Sequence, residues 1–428
     1  MKIPFTNIEI VGHVPMAPPK QGGVPIANPT LGQIMANGGP LPLKVRTVQQ
    51  QAARIAELPP QIPDFFAFTA TPVTLPFDIT TMAYDAVVRT MGSALARRTL
   101  TEQQKDKLVH QLLDKLVSEG MVGSDALVVN VLLNRVFSQQ LREPDPDGRA
   151  PRVLRQHALP LLQRWKEDLL QLRRNNVEPP TNWDPLLLPL LIESENARTP
   201  GLGLRLVTVP ELGKLLGDKA RANNTFEGTF ILDDQGHRVA VHAMNRPGMS
   251  PRFAALDGFF DPATRYLPRV QNSDALLRQR GDAVPVTLGI QEGQCCTILS
   301  LSIARKIVDH PNAVKRLYAP LDAPAAAARP NLGIHPTVPA ATSGLPPAFF
   351  KQSQGRTVLT SLPPSDQQAP VNKGKETLLT RWQRHSVTRI DPMWNTTATY
   401  SGSVEIKRLE IVQEAIRHFR KSPTDWTS

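Results

Sequence analysis

Cysteine is almost missing: two residues, Cys295 and Cys296, stand side by side in a chain of 428. Two adjacent thiols cannot build a disulfide framework, so the sequence points to a reducing compartment. Long apolar runs are also absent. None approaches the roughly 18 residues that would suggest a membrane span. The opening "MKIPFTNIEI" lacks the charged, apolar and small-residue sections of a signal peptide, and Lys2 excludes N-myristoylation. Aromatic residues make up only 5% and no nucleic-acid-binding motif occurs, whereas the formal charge is +11. An acidic partner is therefore expected, a phosphate-rich small molecule or an acidic protein surface rather than nucleic acid.

Proline is plentiful and marks the chain into regions. Thirteen of the 41 prolines lie in the first 76 residues, with glycine pairs such as "QGG" and "NGG". No periodic apolar face is available there to offset the entropy of ordering, so 1–80 is expected to be disordered. Helical patterns follow over 81–181. "TEQQKDKLVHQLLDKLVSEG" opens on a capping box, Thr101 with Gln104, and places Leu108, Leu112, Leu116 and Val117 on one face. "SDALVVNVLLNRVFSQQL" and "PRVLRQHALPLLQRWKEDLLQLRR" predict two more helices, the second interrupted or bent at Pro160.

Over 182–318 the pattern is mixed, which predicts an α/β or α+β domain. "PLLLPLLIESENAR" and "VPELGKLLGDKA" read as helices; "LGLRLVTV", "TFEGTFILDD", "HRVAVHAM", "PRFAALDG" and "AVPVTLGI" read as strands. Residues 319–344 are a proline- and alanine-rich linker or long loop. The last region, 345–428, ends in the basic amphipathic helix "SVEIKRLEIVQEAIRHFRK".

Both cysteines fall where a polar turn becomes an apolar helix, in "GIQEGQCCTILSLSIARKI". A free cysteine is commonly a small buried apolar residue. At a helix start, however, the dipole favours a thiolate. A thiolate nucleophile needs a base, and the base needs a group to orient it. His237 opens one strand after the turn "DDQG", and Asp257 closes the next, 20 positions later. Neighbouring strands could bring the two together, although Asp233 or Asp234 could hold His237 instead. Gln291 lies five residues before Cys296, on the turn, where its amide could donate to a developing oxyanion. His242 alternates with apolar neighbours along its strand and reads as structural.

Several stretches together resemble the YopJ family of bacterial type III effectors. These are "LPLLIESENARTPGLGLRLVTVPELGKLL", "GHRVAVHAMN", "RFAALDGFFDP", "VTLGIQEGQCCTILSLSIARKI", "GLPPAFFKQSQGRTVL" and "APVNKGKETLLTRW". The likeness runs in order from about Leu154 to Arg420. It implies an α+β fold with a cysteine-protease-like catalytic core of the ubiquitin-like-protease type. Flanking segments would form a helical regulatory domain, with the helices before Asn182 and the segment after Leu345 gathered as one unit. It also implies an acetyltransferase with a His-Asp-Cys triad: His237 as base, Asp257 as orienting acid, Cys296 as nucleophile. Cys296 is preferred over Cys295 because "CTILSLSIARK" resembles the run that follows the family's cysteine. Thr297 stands where glycine is frequent in relatives, His242 where an acid is frequent, and the Gln291–Cys296 interval is one residue short.

The same resemblance makes Lys351 the candidate autoacetylated lysine. It implies acetyl-CoA as substrate, inositol hexakisphosphate as activator and no metal. Lys375, Arg381 and Lys407, within a basic group that includes Lys373, Arg384 and Arg408, are the candidate polyanion ligands. Implied partners are host signalling proteins such as kinases, reached after type III secretion into the host cytoplasm. Two other functions fit the same residues: a cysteine peptidase acting on ubiquitin-like modifiers, and an inactive effector that only binds its target.

Overall fold

In the computed structural model the described residues are 101–119, 149–177, 183–234, 236–273, 281–293, 295–322, 333–391 and 396–421, with Leu133, Leu141 and Leu276 as isolated positions. The region expected to be disordered (1–80), most of "SDALVVNVLLNRVFSQQL" and part of the proline- and alanine-rich stretch lie outside them. Two compact units emerge. The described residues up to Ala197 group with Leu409–Lys421, and Arg198–Arg408 form the other unit. Of the described C-terminal residues, 345–408 group with the sheet and 409–421 with the helices. No helix among the described residues is long and apolar enough to cross a membrane.

The helical unit begins with α1 (Glu102–Glu119). The expected capping box is formed: Gln104 N–H donates to Thr101 Oγ1 at 3.3 Å, and Thr101 N–H to Gln104 Oε1 at 2.9 Å. Leu108, Leu112 and Leu116 are buried on one face, and Val117 is half-buried. Helix α2 spans Ala158–Arg174, and a short helical turn, Arg152–Gln156, precedes it. The expected break at Pro160 falls instead at His157. Pro160 is the third residue of α2, where a missing N–H costs nothing, but its ring would strike the carbonyl of residue 156 in a continuous helix. Trp165 of α2 stacks on Trp183, which opens α3 (Trp183–Arg198), with ring centroids 5.8 Å apart.

The second unit is built on six strands: β1 (Arg205–Thr208), β2 (Phe226–Asp234), β3 (His237–Asn245), β4 (Arg252–Asp257), β5 (Asp282–Thr287) and β6 (Val338–Pro339). They lie in sequence order, antiparallel at β2–β3 and β3–β4 and parallel elsewhere. Each strand read from the sequence is present. Edge strand β6 comes from the stretch read as a linker; two residues carry too little pattern to be seen in a chain.

Every residue of β3 is buried, because helices cover both faces of the sheet there. On one face, α4 (Val209–Arg221) and α5 (Leu267–Gln271) close a core of Leu212, Leu216, Leu267 and Val270 over Phe230, Val239 and Val241. On the other lies α6 (Cys296–Asp309), packed on β2 and β3 through Ile298, Leu299, Ile303 and Ile307. Each such side chain contributes about 1.5–3 kcal/mol on burial. The purpose of that packing is visible at one end: it fixes where the first residue of α6, Cys296, stands.

The rest of this unit holds α7 (Leu378–Arg384), the hairpin β7 (Ser386–Asp391) with β8 (Thr396–Ser401), and the start of the C-terminal helix Ser403–Lys421. The hairpin was not foreseen. Its strands, "SVTRID" and "TTATYS", show no clean apolar alternation.

Candidate active site

Strand register brings the proposed base and acid together. Ala240 pairs with Leu256, which sets Asp257 level with Val239 and His237 two residues further along on the same face. Diagonal neighbours of this kind are within side-chain reach. His237 Nε2 lies 2.8 Å from Asp257 Oδ2 and 3.0 Å from Oδ1. The carboxylate is fully buried, and its other donors fix its orientation: the N–H groups of Phe259 (2.8 Å) and Phe260 (3.1 Å) on Oδ1, and the Tyr266 hydroxyl (3.2 Å) on Oδ2. Phe260 meets the His237 ring edge-on at 4.9 Å.

The other acids that could have held His237 are used elsewhere. Asp233 accepts from Gly236 N–H at 3.1 Å and pairs with Arg238, while Asp234 is held by Arg265 and Arg269. Gly236 has φ +100°, a backbone conformation open to glycine and strained for other residues, and it turns the chain into β3 immediately before His237.

Cys296 is partly exposed at the first position of α6, and its Sγ lies 3.8 Å from the Gly236 carbonyl. Burial alone would push the thiol up. The hydrogen bond and positive charge of His237, with Arg238 close by, outweigh that and hold Cys296 below the ordinary thiol value. Burial likewise pulls His237 down, but the Asp257 carboxylate, its hydrogen bond and Cys296 together raise it to about 9. The two shifts have opposite signs, as expected of a thiol and an imidazole that stabilise each other's charged forms beside a buried carboxylate. Iodoacetamide should therefore alkylate Cys296 at neutral pH faster than an ordinary thiol. The rate should fall at a lower pH than for an ordinary thiol, and a profile centred in the ordinary thiol range would contradict the pair.

Cys295 is a different group. It is buried, and its thiol donates to Gln354 Oε1 at 3.0 Å. Gln291 stands on the turn ahead of α6, with its N–H on the Gly258 carbonyl at 2.9 Å. Its side-chain amide donates to Gly293 O at 2.8 Å, which leaves one amide hydrogen for another acceptor. His242 is structural, as read: its Nδ1 donates to the Tyr318 hydroxyl at 2.8 Å, and that hydroxyl donates to His242 O at 3.0 Å.

The outlying predicted residues are spread over the C-terminal elements. Lys351 is half-buried, closes a turn after Pro347–Phe350, and its carbonyl accepts from Arg381 Nε at 3.2 Å. Arg381 also pairs with Glu376 at 3.5 Å. Lys375 is exposed in a loop at φ +56°, and Lys407 is half-buried on the C-terminal helix. Arg408, a member of the basic group read as a candidate polyanion site, is buried. Three contributors to the site escaped the sequence reading: Arg238, Tyr266 and Gln354. Gln354 is about 60 positions from the cysteines, a separation that no local pattern spans. Among the described residues, no cluster of His, Cys, Asp and Glu could hold a metal ion.

A family model described as YopJ Serine/Threonine acetyltransferase matches residues 161–414, more than half of the chain. Among solved structures, AvrA in a single-residue deletion form with IP6 and CoA is similar at 21% identity and a TM-score of 0.50, covering 60% of this chain and 97% of that one. HopZ1a in complex with IP6 is 16% identical at a TM-score of 0.45, covering 61% and 93%. A search of curated proteins gives no match.

Proposed function

The chain belongs to the YopJ Serine/Threonine acetyltransferase family, and from that premise we propose that it moves an acetyl group from acetyl-CoA through Cys296 to a protein acceptor. The observation that carries this reading is the Cys296–His237–Asp257 arrangement with its opposed pKa shifts. The Cys296 thiolate attacks the acetyl carbonyl carbon and a C–S bond forms. The bond to the CoA sulfur then breaks, and the leaving thiolate takes the proton held by the His237 imidazolium. In the second half, neutral His237 removes a proton from the acceptor hydroxyl or amine as its oxygen or nitrogen attacks the thioester. Cys296 leaves as a thiolate, and the imidazolium is restored. The one free amide hydrogen of Gln291 is suited to the oxyanion in both halves. Lys351 is the proposed site of self-acetylation.

The acceptors we propose are serine, threonine or lysine residues of host signalling proteins such as kinases, met after delivery by a bacterial type III system into the host cytoplasm. Inositol hexakisphosphate is the proposed activator. Support comes from the net charge of +11 and from the presence of IP6 in the similar AvrA structure. Lys375, Arg381 and Lys407 are its proposed ligands, within a regulatory region made of 81–181 and 345–428, which flank the proposed catalytic region 182–318 in sequence. Intact mass spectrometry after incubation with acetyl-CoA tests the reading. One or more added acetyl groups, increased by inositol hexakisphosphate, are expected; an unchanged mass with both present would reject it.

A polyanion that binds only the folded chain also raises its melting temperature by mass action. Inositol hexakisphosphate at a hundredfold excess over its Kd should stabilise by about 2.7 kcal/mol at low salt. The gain should shrink as salt is raised, because screening weakens a contact between dense charges. A flat thermal-shift titration at low salt would remove the polyanion site from the proposal.

A further inference from the structure

We infer that Gln354 is a positioning residue for the loop that presents Cys296. This inference rests on Cys296 being the nucleophile proposed above. Gln354 is 1% exposed, and a single side-chain atom, its Oε1, accepts three hydrogen bonds from the cysteine loop. The donors are Glu292 N–H at 2.9 Å, Gly293 N–H at 2.8 Å and the Cys295 thiol at 3.0 Å. Two main-chain N–H groups can face only an oxygen, so they also decide which way the amide points. Its main chain adds a fourth tie to the same loop, Gln354 N–H to Ile290 O at 2.8 Å.

The residue itself is clamped from the other side. Its carbonyl accepts the Trp382 indole N–H from α7 at 2.7 Å and the Ser401 N–H from β8 at 2.9 Å. Ser353, next to it, is buried and donates to Gly355 O at 2.7 Å, which holds the short turn in shape. The described loop residues 290–293 and 295 belong to no strand or helix, and Gln354 supplies four of their anchors. Glu292 and Gly293 N–H are engaged by Gln354, so neither serves as an oxyanion donor, and that role is left to the Gln291 side-chain amide proposed above. Displacement of a reacting atom by about 1 Å costs on the order of a hundredfold in rate. A residue that sets the position of the helix start therefore controls turnover while touching neither substrate nor nucleophile.

Two variants test this, each read by acetyl transfer and by iodoacetamide alkylation of Cys296, which needs no acetyl-CoA. Gln354→Met keeps the volume and removes the acceptor. Its kcat should fall about a hundredfold with KM for acetyl-CoA little changed, and its alkylation at pH 7 should slow. Gln354→Glu keeps an acceptor for all three donors. It should recover most of the lost kcat, while its added charge moves the alkylation profile of Cys296 to higher pH. Wild-type kcat and alkylation in a folded Gln354→Met variant would overturn the inference. So would a Gln354→Glu variant no better than Gln354→Met, or, if Gln354→Met does not fold, a Gln354→Glu variant that has lost its kcat. A wild-type chain that alkylates rapidly and transfers no acetyl group would count against the proposed function, and the alkylation arm would still judge Gln354.

Discussion

Cys296→Ala should transfer no acetyl group at a measurable rate, a loss on the order of 10⁴-fold or more in turnover. The thiolate has no substitute nearby. Cys295 is buried, its proton is directed at Gln354, and the pKa coupling with His237 belongs to Cys296. Because Cys296 is partly exposed and opens α6, removing its sulfur leaves the core of that helix intact, so the melting temperature should change little. Cys295→Ala is the contrasting case. It leaves a small void and removes one weak donor from Gln354, and should cost about 1 kcal/mol of stability while most of the turnover survives. The decisive measurement is acetylation and thermal stability on both variants side by side. An active Cys296→Ala with an inactive Cys295→Ala would exchange the roles of the two thiols.

Asp257→Asn should combine a large kinetic loss with a structural one. The carboxylate accepts four donors: His237 Nε2, two main-chain N–H groups and the Tyr266 hydroxyl. An asparagine turns one acceptor into a donor, so one of these bonds is lost or must reverse its direction, at a cost of about 1–3 kcal/mol for the buried group. With the charge gone, burial pulls His237 down unopposed by Asp257, and the Cys296 thiol rises with it. Turnover should fall on the order of 10³–10⁴-fold, and alkylation of Cys296 at pH 7 should slow in parallel.

The sign of the pH effect follows from the direction of the His237 shift. A histidine raised to about 9 in the folded chain, from an ordinary value of about 6.5, stabilises the fold fully below the ordinary value. That contribution disappears as pH rises through about 9. The gap in melting temperature between wild type and Asp257→Asn should thus be widest near pH 6 and narrow toward pH 9. A gap that widened with pH would contradict the charged His237–Asp257 pair.

The local half of this protein was written in its sequence. Short strand-like runs announced β1 to β5, the Thr101–Gln104 box announced the start of α1, and the polar-to-apolar step at Cys296 announced a helix whose first residue is a cysteine. These signals are legible because each depends on residues within a turn or a strand of one another. His237 and Asp257 could be paired in thought for a related reason: they sit at the ends of consecutive strands joined by a short connection.

The sequence alone left the choice among Asp233, Asp234 and Asp257 open, and only strand register closed it. A one-residue slip between β3 and β4 would have turned Asp257 to the opposite face of the sheet. The preference for Cys296 rested on resemblance in the sequence; the fold adds that Cys295 is buried and that Cys296 lies beside His237. Gln354, Tyr266 and Arg238 had no signal at all. Their roles arise from hydrogen bonds and charges between elements that the chain keeps apart, and such contacts exist only once the sheet, α6 and the C-terminal segment have packed. Composition and periodicity determine which elements form and which faces they bury; packing determines which polar atoms then meet.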